Sequence, residues 1–248
     1  MVTVCRSLVA GSRRTFLSVG MAAALLGAAL SLPWPGTPGM ARADQGTRAG
    51  VAGGDAPSAR PVMLIVGDSL SAEYGLARGE GWVALLERRL RDDDPDLKRP
   101  DWQVVNASIS GETTSGGRSR LPQLLKQHRP ALTVIELGGN DALRGLSIRT
   151  AQGNLRQMID EAKSAGSKVL LIGMQVPPNY GAAYARQFRQ MYERLADETG
   201  SALVPFLLAG FETDRASFQP DGIHPSAAAQ PGMLDNVWPV LKGLLEGP

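Results

Sequence analysis

Thiols are all but absent from this 248-residue chain, whose one cysteine is Cys5. It stands ahead of the N-terminal apolar run rather than at its end, so it does not read as a lipid-attachment site. Beyond it no disulfide, cysteine nucleophile or thiolate metal centre can be built. Histidine is nearly as scarce, with only His128 and His224. A zinc centre takes at least three protein ligands and no third histidine exists, so no metal site is expected. Charge of one sign is lacking too: 26 basic residues face 24 acidic ones. Four of the arginines (Arg6, Arg13, Arg14, Arg42) and none of the acids lie in 1–43, which leaves the rest close to neutral. A nucleic-acid partner, which needs a basic stripe or patch, is not expected. No internal repeat or low-complexity block is present.

A run long enough to span a bilayer is also missing. Phe16 to Leu32 is apolar but short of the roughly 20 residues a spanning helix needs. Arginines precede the run, and Ala41-Arg42-Ala43 supplies a small-x-small cleavage pattern before Asp44. Residues 1–43 therefore read as a secretory signal peptide. Within it, Ser12-Arg13-Arg14-Thr15-Phe16-Leu17 has the form of a twin-arginine signal, which implies export of the folded protein. The expectation is a periplasmic or secreted bacterial protein. Its transit partner would be the twin-arginine machinery, and no membrane anchor would remain after cleavage. Residues 44–60, rich in Gly, Ala and Asp, read as a flexible linker. Residues 61–248 are long enough for one domain with a single core.

That domain begins with Val62-Met63-Leu64-Ile65-Val66-Gly67, a continuously apolar run suited to a strand buried on both faces. Trp82, Leu85, Leu86 and Leu90 recur at helical spacing. Trp102, Val104 and Val105 make a second short strand, and Leu121, Leu124 and Leu125 a helix ended by Pro130. A third strand covers Leu132 to Leu137, closed by Gly138-Gly139-Asn140-Asp141. Leu155, Met158, Ile159 and Ala162 mark a helix, and Val169 to Ile172 a fourth strand. A long helix over about 181–199 is capped by Gly200, a fifth strand covers Ala202 to Val204, and a last helix runs over roughly 226–246. This alternation predicts an α/β fold: a three-layer α/β/α sandwich around a five-stranded parallel sheet, flavodoxin-like, with strand order 2-1-3-4-5.

In such a fold the carboxyl ends of the strands share one rim. Ser69 follows the first strand, Gly111 the second and Asn140 the third, while Asp221-Gly222-Ile223-His224 joins from the C-terminal loop. Acyl transfer from serine needs a base within hydrogen-bond reach, a group to orient that base, and donors for the oxyanion. His128, beside Pro130 at a predicted helix C-terminus, reads as a solvated cation. His224, three residues after Asp221, could in a tight turn offer one ring nitrogen to the carboxylate and the other to the rim. Each residue alone has an ordinary alternative, such as a loop serine, a capping asparagine or a turn histidine. Ser69 also lacks the second glycine of the Gly-x-Ser-x-Gly elbow, which disfavours an ordinary α/β-hydrolase.

Together the residues resemble the SGNH, or GDSL, hydrolase family. Its four blocks match Gly67-Asp68-Ser69-Leu70, Gly111 within Ser108 to Thr113, Gly138-Gly139-Asn140-Asp141, and Asp221-Gly222-Ile223-His224-Pro225. The strings VVNASISGETT, ELGGNDALRGL and VPPNYG are most similar to the bacterial periplasmic branch of multifunctional thioesterase, lysophospholipase and arylesterase. The resemblance implies Ser69 as nucleophile, His224 as base and Asp221 as its partner. The oxyanion hole would comprise the Ser69 and Gly111 amides and the Asn140 side chain, and no cofactor is implied. Asp68 is expected to be a local hydrogen-bonding residue. The expected substrate is a small-molecule acyl ester or thioester. Leu143 and Leu146 after the third strand, with Pro178 and Tyr180 after the fourth, are candidates for an acyl-chain groove. Two other readings stay open from the sequence: a carbohydrate O-acetylesterase on the same fold, and a non-catalytic exported binding module.

Overall fold

The computed structural model describes residues 60–92, 101–176 and 178–246. The signal peptide expected over 1–43, and all of the 44–60 linker except Arg60, lie outside the described residues.

Five strands, β1 (Val62–Gly67), β2 (Gln103–Asn106), β3 (Leu132–Glu136), β4 (Lys168–Ile172) and β5 (Ala202–Val204), form one parallel sheet in the order β2-β1-β3-β4-β5. Both the fold class and the strand order expected from the sequence are found. Burial follows position in the sheet: β3 is buried along its whole length, whereas the edge strand β2 has no buried residue. That is why β1 reads as an unbroken apolar run and β3 and β4 as mostly apolar ones, and β2 does not.

Among the described residues six α-helices connect and cover the strands: α1 (Trp82–Asp92), α2 (Thr114–His128), α3 (Gly139–Leu143), α4 (Ile148–Ser164), α5 (Ala182–Thr199) and α6 (Gln230–Glu246). α1 packs on α6, while α2 packs on α4 and α4 on α5, giving the two outer layers. Trp82 and Leu86 of α1, Leu155, Met158 and Ile159 of α4, and Phe188, Met191 and Leu195 of α5 are fully buried against the sheet. Gly200 closes α5 in the left-handed conformation, its N–H donating to the Ala196 carbonyl.

Two features depart from the sequence reading. α2 starts at Thr114, seven residues before the apolar pattern signals it. The side chain of its N-cap, Thr113, makes no capping bond; the carboxylate of Asp141 takes that place from a distance. Asp141 accepts from the Thr114 amide at 2.8 Å and from the Thr114 hydroxyl at 2.6 Å. An orphan N–H at a helix start needs an acceptor, but the acceptor need not be local in sequence. The second departure is α3, which begins at Gly139 where only a strand ending was expected. Gly138 makes the reversal at φ +121°, and a Cβ there would lie 2.3 Å from the Tyr192 hydroxyl. That hydroxyl donates to the Leu137 carbonyl at 3.0 Å, which fixes the end of β3.

The chain leaves β1 toward β2 on one side and returns over it to β3 on the other. β1 and β3 are therefore neighbours whose continuations diverge, and a crevice opens at their carboxyl ends. Ser69 stands at one lip and Asn140 at the other.

Candidate active site

The turn after β1 is held from beneath. Asp68 accepts the amides of Ser71 and Ala72 on its carbonyl, and its side chain accepts the Leu70 amide at 3.0 Å. Below it lies Glu136, the last residue of β3 and fully buried. Its Oε2 accepts from the Ser71 hydroxyl at 2.8 Å and from the Asp68 amide at 3.3 Å, while Oε1 has no partner among the described residues. The Asn106 amide grips the Ser71 carbonyl at 2.7 Å from the β2 side. Gly67 is a glycine for a steric reason, since a Cβ would sit 2.7 Å from both Glu136 Oε2 and Ser71 Oγ.

Burial raises both carboxyls. It pushes Asp68 up to about 6, against the pull of the Leu70 amide, the Asn140 amide and the His224 charge. Glu136 is pushed well above the carboxylate range, first by burial and then by the neighbouring Asp68 charge.

The third group at this rim arrives from the loop between β5 and α6. Asp221 Oδ1 accepts the amides of Ile223 at 2.9 Å and His224 at 3.1 Å, and Gly222, at φ +71°, allows the tight turn. Asp221 Oδ2 meets His224 Nδ1 at 2.6 Å, and His224 Nε2 lies 2.9 Å from Ser69 Oγ. The bond to His224 and the Ile223 amide lower Asp221 to about 2, so it stays a carboxylate. With a carboxylate on Nδ1, that nitrogen carries the proton and Nε2 is free to accept one from the serine. Three groups spread over 155 residues of the chain thus form one hydrogen-bonded line.

On the opposite lip, Asn140 Nδ2 donates to Asp68 Oδ2 at 2.9 Å. A carboxylate partner identifies that atom as the amide nitrogen and leaves a second N–H for another acceptor. Gly111, at φ +79°, belongs to the loop after β2, and its carbonyl accepts from Arg144 Nη2 at 2.8 Å. Arg144, which follows α3, therefore ties the Gly111 loop to the Asn140 loop. The sequence reading did not single out Arg144 or Glu136. Their signals are single polar side chains whose partners lie far along the chain.

Leu143 and Leu146 are exposed beside α3, and Tyr180 is exposed in the 3-10 turn after β4, the strand next to β3. Tyr180 stacks over Tyr184, with ring centroids 6.4 Å apart. Pro178 opens that turn; its side chain lies outside the described residues. His128 ends α2, away from this rim. Among the described residues no group of three or more His, Cys, Asp or Glu side chains could hold a metal, and no helix is long and apolar enough to cross a membrane. A surface groove of about 920 Å³ between α2 and α4, lined by Leu125, Lys126, Arg156 and Asp160, contains none of the rim residues.

Residues 65–230 match the model of the GDSL-like lipase/acylhydrolase family. The chain belongs to that family. Its similarity to esterase TesA of Pseudomonas aeruginosa is 52% identity over 188 residues, covering 76% of this chain and 91% of the relative. To thioesterase 1/protease 1/lysophospholipase L1 of Escherichia coli K12 it is 41% over 178 residues, or 72% of this chain and 82% of the relative. A crystal structure of TesA matches with a TM-score of 0.71 at 52% identity, covering 74% of this chain and 99% of that one. In this GDSL-family chain the matched span runs from β1 to the first residue of α6, and so includes every polar group of the rim.

Proposed function

We propose that the protein is a carboxylic ester and thioester hydrolase that works through an acyl-enzyme on Ser69. The observation that carries the reading is the unbroken hydrogen-bond line from Asp221 through His224 to the Ser69 hydroxyl. Ser69 Oγ attacks the carbonyl carbon while its proton passes to His224 Nε2. The carbonyl oxygen, now an oxyanion, is held by the Ser69 and Gly111 amides and by the free N–H of Asn140. His224 returns the proton to the leaving oxygen or sulfur as that bond breaks. It then takes a proton from water, whose oxygen attacks the acyl-enzyme carbonyl, and passes that proton to Ser69 Oγ as the acyl–Oγ bond breaks and the carboxylic acid leaves. Asp221 holds the imidazole in the required tautomer throughout.

The relatives named esterase and thioesterase/lysophospholipase support an acyl ester or thioester as substrate. The exposed Leu143, Leu146 and Tyr180, in the loops after β3 and β4, support an acyl-chain groove on the Asn140 side of the serine, with Pro178 assigned to it by its place in the sequence. Export by the twin-arginine route, ending in the periplasm or outside the cell, completes the reading. It rests on Arg13-Arg14 and the apolar run after them.

A fluorophosphonate probe tests the central claim. The protein should be labelled at Ser69 and Ser69→Ala should not, since only an activated serine reacts. An unlabelled native protein would leave a binding module as the better account. The groove is tested with p-nitrophenyl acetate, octanoate and palmitate: kcat/KM should rise from acetate to octanoate, and a steady fall with chain length removes the groove.

A further inference from the structure

We infer that Tyr74 and Ile223 form a second subsite, one that receives an apolar and preferably aromatic leaving group; this rests on the acyl-enzyme reading above. Among the described residues the large hydrophobic side chains left exposed are Tyr74, Ile109, Leu143, Leu146, Tyr180 and Ile223. All six stand in or beside the loops at one rim of the sheet. Exposed apolar surface gathered around a reactive group marks a place where something apolar binds.

Two of the six flank the base itself. The Tyr74 ring rests on the His224 imidazole, centroids 4.4 Å apart and planes tilted by 37°, yet half of its surface, 50%, is open to solvent. Ile223 precedes His224 and is 49% exposed. One part of this wall packs on the catalytic ring and the remainder faces outward.

The chemistry decides what meets that remainder. When the tetrahedral adduct collapses, the bond from the former carbonyl carbon to the leaving oxygen breaks. The proton that His224 took from Ser69 passes from Nε2 to that oxygen. The leaving oxygen must then be within hydrogen-bond reach of Nε2, so its substituent lies alongside the imidazole. Tyr74 and Ile223 are the apolar groups there. The acyl chain, attached to the other side of the same carbon, points toward the loops after β3 and β4.

The wall is also built in advance. The Gln219 side-chain amide donates to the Tyr74 carbonyl at 2.8 Å and to the Pro225 carbonyl at 3.1 Å, and the Gln219 backbone N–H donates to the His224 carbonyl at 2.8 Å. Gly75, at φ +71°, leaves room for this clamp, because a Cβ would lie 2.1 Å from Gln219 Oε1. The loops that carry Tyr74 and Ile223, 149 positions apart in the sequence, are thereby tied to one another. An aromatic substituent finds a preformed surface and loses little freedom in using it.

Phenyl acetate and 2,2,2-trifluoroethyl acetate form the same acetyl-enzyme and differ only in what leaves. For Tyr74→Ala and for Ile223→Ala, kcat/KM toward phenyl acetate should fall about five- to tenfold further than toward the trifluoroethyl ester, the size of one lost aromatic contact. Tyr74→Phe should keep the native ratio. Fluorophosphonate labelling of each variant at Ser69 establishes that it is folded and active. An equal loss with both esters would mean that Tyr74 acts only through His224, and overturns the subsite; an unchanged ratio overturns it as well. A native protein that neither reacts with the probe nor turns over either ester overturns the hydrolase reading, and this subsite with it.

Discussion

Replacing Asp68 by asparagine should change how stability depends on pH, in a direction set by the burial of that carboxyl. Asp68 is 3% exposed, and its pKa is raised from 3.8 to about 6, chiefly by desolvation. Between those two values the folded protein keeps a proton that the unfolded chain has already released. Folding is thus favoured at the acid end of the window, and stability is lost as pH rises through it. A shift of roughly two units at about 1.4 kcal/mol each amounts to about 3 kcal/mol. The amide that replaces the carboxyl would not titrate, so the stability of Asp68→Asn relative to the native protein should rise by about 3 kcal/mol from roughly pH 3.5 to pH 7. The charge of Asp68 also raises Glu136, and removing it acts in the same sense. Urea unfolding followed by tryptophan fluorescence at half-unit pH steps would measure this. A difference that is flat, or that shrinks as pH rises, would refute the assignment of a buried, proton-retaining carboxyl beneath the serine. Activity should move the other way. An amide at position 68 cannot accept from both Leu70 and Asn140 without turning a donor toward a donor, so kcat at pH 7 should drop about tenfold.

Asn140→Ala should lower kcat by about 10² to 10³, the effect of one oxyanion donor, with unfolding unchanged within about 1 kcal/mol; full activity in steady-state assays would remove its role. Asp221→Asn should lose about 10⁴ in kcat because the imidazole tautomer is no longer set, as steady-state kinetics on the purified variant would show. The same carboxylate, lowered from 3.8 to about 2, contributes in full above 3.8 and loses its hold as pH falls through about 2, so its orienting effect should persist throughout the neutral range. Gly75→Ala, forced to φ +71° with its Cβ against Gln219, should cost at least about 1 kcal/mol and lower kcat, read by thermal melts alongside ester turnover. A melt and a rate equal to those of the native protein would show that the Gln219 clamp yields freely.

The sheet was legible because burial wrote itself into β1, β3 and β4 as apolar runs and into α4 and α5 as helical spacing. The rim residues were legible for another reason: Ser69, Gly111 and Asn140 each follow a strand, and the parallel order sends strand ends to one side. Asp221 and His224 were close enough in sequence to be read as a pair. The supports beneath them were not. Glu136 reads as the polar end of a strand, and nothing local says that it will accept from residues 65 and 68 positions away. Gln219 looks like a loop residue until folding brings Tyr74 to it across 145 positions. α3 is too short to show a period, and Asp141 does its capping on a helix that precedes it.

That last arrangement has a consequence for how the protein fails. Asp141 closes the first turn of α2, and its immediate neighbour is Asn140, the proposed oxyanion donor. Fraying of that one turn would release Asp141, let α3 drift and take Asn140 off its mark while the sheet stays whole. On gentle heating, catalysis should therefore vanish before the core melts, and amide exchange at Thr114 should quicken at the same temperature as the rate declines.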